Sequence, residues 1–191
     1  MTQTRFSSAA TIFVAAVASG TSCARSVAVE STSPAPVIMM PAEPGEMKHL
    51  ANIRQLTSGG ENAEAYFSAD GTRLIFQSTR DGRTCDLQYT MGIDGSNLRR
   101  VSPNGGKTTC GYFYAGDSKI FFASTHAAGM ACPAKPDPSK GYVWGLDPFD
   151  IYTANPDGSD LRRLTSNGVY TAEGTLSPDG KTIVFTSLKD G

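Results

Sequence analysis

Two distant stretches of this chain are nearly the same. LTSGGENAEAYFSADGTRLIFQSTRDG begins at Leu56, and LTSNGVYTAEGTLSPDGKTIVFTSLKDG begins at Leu164. Ser177-Pro178-Asp179-Gly180 stands where Ser68-Ala69-Asp70-Gly71 stood, and Ile183-Val184-Phe185 replaces Leu74-Ile75-Phe76. Between them lies a longer copy, with Tyr112-Phe113-Tyr114, Gly116-Asp117 and Ile120-Phe121-Phe122. Its tail, Asp157-Gly158-Ser159-Asp160-Leu161-Arg162-Arg163, repeats Asp94-Gly95-Ser96-Asn97-Leu98-Arg99-Arg100. A chain built from repeats must stack them, because one short unit cannot bury its apolar face alone.

Each repeat alternates short β-prone runs with Asp-Gly pairs. Asp-Gly between such runs is a strong hairpin signal, and the expectation here is a type I′ turn. Four short strands then fit into the first repeat of about 45 residues, the usual size of a propeller blade. The second copy is longer by roughly 18 residues, all before its third strand.

The tandem pattern DG-S-x-L-R-R-L-T followed by S-P-D-G-K-x-I-x-F resembles the TolB-like (WD-like) propeller repeats of bacterial envelope proteins. The resemblance covers about residues 54–191. It implies an all-β fold, a β-propeller of four-stranded antiparallel blades. About two and a half blades are expected, an incomplete propeller. Residues 50–57 are expected to be a lone outer strand, 58–101 blade 1, 102–164 blade 2 with an insertion at 126–148, and 165–191 a partial blade 3.

The preceding residues read differently. Arg5, the apolar run Ala9–Ala18 and the small residues after it predict an export signal over 1–24. Ten apolar residues are too few to cross a bilayer of about 30 Å as a helix. Cys23 follows small residues, as in a lipoprotein cleavage box, although Gly20 occupies the position usually held by Leu. Lipidation at Cys23 and ordinary cleavage near Ser22 or Ala24 both stay open. Residues 25–48 contain Pro34, Pro36, Pro41 and Pro44 and predict an extended linker.

Charge narrows the partners. With 17 basic and 18 acidic residues, no broad basic field exists to draw nucleic acid or an anionic membrane. A membrane contact is expected only through a lipid at Cys23.

If strands run from the centre outward, the Asp-Gly turns at 70–71, 94–95, 157–158 and 179–180 fall on one face. The opposite face collects 80–85, 102–110, 126–148 and 166–171. Loops on a rigid scaffold are where binding residues concentrate. The insertion holds the only Trp, Trp144, beside Tyr142 and near Phe149, and His126 opens it. These four form a candidate partner-binding lip, because aromatic side chains supply contact area at low entropic cost.

Cys85, Cys110 and Cys132 fall on the same face, and in an exported protein a disulfide is expected. The expectation is that Cys110 pairs with either Cys85 or Cys132. No CxxC or HxxxH spacing supports a metal site, and the Asp-Gly carboxylates are expected to serve the turns themselves. His49 and His126 are the only histidines, no G-x-S-x-G elbow occurs, and neither glycine pair opens a helix to cradle phosphate. No catalytic residue and no cofactor is therefore expected.

Two functions follow from the resemblance. One is a non-catalytic envelope protein that binds protein partners, like the periplasmic TolB component of the Tol–Pal system. The other is the N-terminal propeller of a prolyl-oligopeptidase-like serine peptidase whose hydrolase domain lies outside this chain.

Overall fold

The computed structural model describes residues 38–41, 43–141 and 143–191. The expected export signal, Cys23 and Tyr142 lie outside them. Strands dominate, in the order β1 Ile38–Met39, β2 Arg54–Gln55, β3 Asn62–Phe67, β4 Arg73–Ser78, β5 Leu87–Gly92 and β6 Arg99–Arg100. They continue as β7 Thr108–Tyr114, β8 Lys119–Ser124, β9 Asp150–Ala154, β10 Arg162–Arg163, β11 Thr171–Leu176 and β12 Ile183–Ser187.

β3-β4-β5-β6 form one four-stranded sheet and β7-β8-β9-β10 a second, each antiparallel throughout. β11 and β12 pair as the start of a third. β3 lies against β7, and β7 against β11, so the first strands of successive sheets are neighbours at the centre. This is an all-β propeller architecture of two full blades and half of a third.

One segment departs from the linker expectation. Ile38–Met39 pairs antiparallel with Arg54–Gln55, in register Ile38 to Gln55 and Met39 to Arg54. The Met40 N–H extends this ladder to the Ile53 carbonyl at 3.0 Å. β2 is thus not a lone strand, because the extended, proline-flanked segment before it supplies ladder partners. Leu56, just beyond β2, packs on the outer face of blade 1.

The turns also differ from the type I′ expectation. Gly71, Gly95, Gly158 and Gly180 have φ between 68° and 85°, whereas the aspartates before them are absent from the left-handed region. Each glycine N–H closes on the carbonyl three residues earlier, as from Gly71 to Ser68 at 2.9 Å and from Gly180 to Ser177 at 2.8 Å. The glycine therefore follows the tight turn rather than sitting in its middle, a geometry in which only one residue needs positive φ.

Blades meet through apolar faces set by the period of two. Leu74, Phe76, Leu87, Tyr89 and Met91 face outward from blade 1, while Ile75 turns to blade 2 and packs with Val101, Ile120, Phe122 and Tyr152. Ala123, Phe149, Tyr170 and Ala172 fill the seam between blades 2 and 3. Gly174 is required there, since a Cβ on it would stand 2.2 Å from the Phe121 ring.

Candidate functional site

The turn face is occupied with its own geometry. Asp70 accepts from Ser68 Oγ at 2.6 Å and from the Thr72 N–H at 2.9 Å; Asp179 does the same with Ser177 Oγ and the Lys181 N–H. Asp94 and Asp157 accept from the Ser96 and Ser159 N–H groups, each at 2.9 Å. These hydrogen bonds, that from Ser68 foremost, hold the Asp70 carboxyl down at about 2. Their carboxylates serve the turns.

The opposite face is different. Cys85, before β5, is bonded to Cys132 of the insertion, with Cα atoms 5.6 Å apart. The bridge joins the second-to-third-strand loops of blades 1 and 2. Its partners correct the expectation for Cys110, which is a buried free thiol. Cys110 belongs to β7 rather than to a connecting loop, and a bulge in that strand holds it at φ 53°. Burial pushes the thiol up to about 11, so it stays protonated and unreactive at neutral pH.

The structure separates the expected lip residues. Trp144 is 54% exposed, and its indole N–H donates to Tyr170 Oη at 3.3 Å. Phe149, by contrast, is buried and meets the Tyr170 ring edge-on, so it packs the blade seam and offers no contact surface. His126 is half-buried with its ring 4.4 Å from that of Tyr152, and its Nδ1 lies 2.9 Å from Ser124 Oγ. Burial holds His126 below the ordinary histidine range, Arg163 adds to this and Asp150 opposes it. Sequence distance concealed that carboxylate, which β9 carries back to the histidine.

Other exposed apolar residues share the insertion with Trp144. Met130, Val143 and Leu146 are all exposed on it. Met130 also anchors one end, since its carbonyl accepts from the Gly106 N–H at 2.8 Å. Asp137 caps the short 3-10 turn at Pro138–Lys140 by accepting from the Ser139 N–H at 2.9 Å. The loop is thus tied by one covalent bond and several hydrogen bonds, while Met130, Val143 and Leu146 stay exposed on it.

Sequence reasoning missed a second feature. Glu64, Cys110 and Glu173 occupy the same place in β3, β7 and β11, each at a bulge and each with positive φ (47°, 53° and 53°). The repeats align Ala63-Glu64-Ala65 with Thr109-Cys110-Gly111 and Ala172-Glu173-Gly174. That alignment was the available signal, but the left-handed backbone was not visible in it. Non-glycine residues adopt this conformation only when their surroundings enforce it. Here the enforcement recurs once per blade, and both glutamates bear on the Cys110 thiol. Among the described residues no group of three His, Cys, Asp or Glu side chains could hold a metal ion.

The sequence matches no known family profile. Among solved structures, the putative TolB from Agrobacterium tumefaciens superposes with a TM-score of 0.51 at 20% identity, covering 72% of this chain and 47% of that one. The fold is that of a TolB-like propeller. TolB from Acinetobacter baumannii is also similar, with a TM-score of 0.48 at 23% identity over 70% of this chain and 29% of that one. The chain thus spans less than half the length of either TolB structure. The TolB-like blades here carry an addition at 126–148 within blade 2, and the disulfide secures it.

Proposed function

We propose that this chain is a non-catalytic cell-envelope propeller that binds protein partners through the loop face of blades 1 and 2. One observation carries the reading: the insertion of blade 2 is stapled by Cys85–Cys132 while Trp144, Val143, Leu146 and Met130 remain exposed on it. Exposed apolar side chains on a rigid loop suit an interface, because little freedom is lost when a partner covers them. The TolB-like fold supports an interaction role of the kind TolB has in the Tol–Pal system. The export signal expected over 1–24 supports a periplasmic or otherwise exported location, with a lipid at Cys23 as the candidate anchor, and the disulfide fits an oxidising compartment.

The test is site-specific photo-crosslinking in the native envelope, with the reactive residue at Leu146 on the insertion and, as a control, at Asp179 on the turn face. A discrete protein adduct at 146 and none at 179 is expected. Equal adduct patterns at both positions, or none at either, overturn the reading. Sequencing the mature N-terminus tests the location, and a cytoplasmic product starting at Met1 refutes export.

A further inference from the structure

Beneath the proline-braced insertion lies a cleft of about 560 Å³, bordered by the disulfide. That volume is within the range that holds a ligand or a partner's side chain. Its lining joins loops of both blades: Glu61 and Asp86 from blade 1, Lys107 before β7, and Lys135, Pro136 and Asp147 from the insertion.

The charges in this cleft are unevenly satisfied. Lys107 Nζ lies 3.8 Å from Asp147 Oδ2, and the same ammonium also attracts Asp86. Asp86 is half-buried, and no described residue donates a hydrogen bond to its carboxylate. Burial disfavours its charged form, Lys107 is its strongest charge neighbour and attracts it, Glu61 and Glu64 repel it, and Lys135 attracts it more weakly. A half-buried carboxylate to which no described residue donates gains hydrogen bonds from a cation that brings its own donors. A neutral donor supplies hydrogen bonds without the charge, and an anion meets the like charge of Glu61, Asp86 and Asp147. Among cations, a guanidinium best matches a carboxylate, because it presents parallel N–H donors in a fixed plane.

We infer that the cleft is a side-chain pocket for an arginine of a partner protein, with Asp86 as its anchor and Glu61 at its wall. This assignment rests on the partner-binding reading above and adds the chemistry of what is bound. The apolar lip around Trp144 gives contact area; the pocket gives selectivity for a basic residue.

The experiment is an NMR titration of the oxidised full chain with the blocked tripeptide Ac-Gly-Arg-Gly-NH2 and with its uncharged citrulline counterpart. Saturable shifts centred on Asp86, Glu61 and Lys135 are expected, with the citrulline peptide at least tenfold weaker. Asp86→Asn should lose at least tenfold in affinity for the arginine peptide, and Glu61→Gln should lose less. The amide spectrum of each free variant reports whether it is folded, and Glu61→Gln, at an exposed site, serves if Asp86→Asn is not. Equal binding of the two peptides, shifts elsewhere, or unchanged affinity in the folded variants overturns the assignment. Photo-crosslinks at position 146 that persist undiminished in Asp86→Asn would remove the arginine pocket while leaving partner binding intact.

Discussion

Cys85 and Cys132 stand 47 residues apart in sequence and bind two blades together at the loop face. Closing a loop of that length removes denatured-state entropy worth about 4 kcal/mol in the chain-entropy model, with measured values often smaller. Reduction, or Cys85→Ala with Cys132→Ala, should therefore lower the denaturation midpoint and release the insertion. Denaturant titration with and without reductant measures the first effect. Non-reducing peptide mapping should recover the 85–132 pair, and the Cys110 thiol should react with Ellman's reagent only after unfolding. A mapped bridge to Cys110 would contradict this.

Asp117 ties the turn of blade 2 to that of blade 1. Its two carboxylate oxygens accept from the Ala69 and Asp70 N–H groups at 2.8 and 3.1 Å. Asp117→Ala leaves two backbone donors without this partner and also places alanine at φ 64°, a conformation aspartate tolerates better. A loss of about 1–3 kcal/mol is expected. Asp117→Asn keeps one acceptor and should lose less, so equal losses in the two variants would exclude the clamp.

Gln88 is fully buried between blades 1 and 2, and neither its Oε1 nor its Nε2 has a hydrogen-bond partner. The equivalent residue of blade 2 is Ile151, an apolar side chain. Replacing an unpartnered amide by an apolar group of similar length removes a desolvation cost, so Gln88→Met should stabilise by about 1 kcal/mol. Gly111→Ala should act in the opposite sense, because its Cβ would meet the Gln88 amide nitrogen at 2.1 Å. Thermal unfolding distinguishes the signs, and a destabilised Gln88→Met would show that the amide has a partner after all.

His126 predicts a pH dependence. Its folded-state value is lowered, chiefly by burial against the Tyr152 ring. The unfolded chain thus binds the proton first, so stability is full above the ordinary histidine value of about 6.5 and falls as pH drops below it. One group gives at most about 1.4 kcal/mol per pH unit until the folded form also protonates. His126→Gln should flatten the stability profile between pH 6.5 and 5. An unchanged profile would place the dependence elsewhere.

The sequence alone determined the blades. Asp-Gly spacing and the apolar triplets Leu74-Ile75-Phe76, Ile120-Phe121-Phe122 and Ile183-Val184-Phe185 mark β4, β8 and β12, because turn chemistry and the period of two are local properties. The two faces were legible for the same reason, since alternating hairpins send successive loops to opposite ends. Tertiary structure decided what depended on meetings across blades. Cys110 and Cys132 fall near one another on any map of the loops, yet the bulge in β7 buries one and leaves the other free to reach Cys85. Phe149 looked like a neighbour of Trp144, but it precedes β9 directly and turns into the seam with Tyr170. Asp86 resembled any loop carboxylate. Only the folded chain brings Lys107 and the insertion to the same cleft as Asp86, because burial and charge neighbours are set by residues distant in the chain.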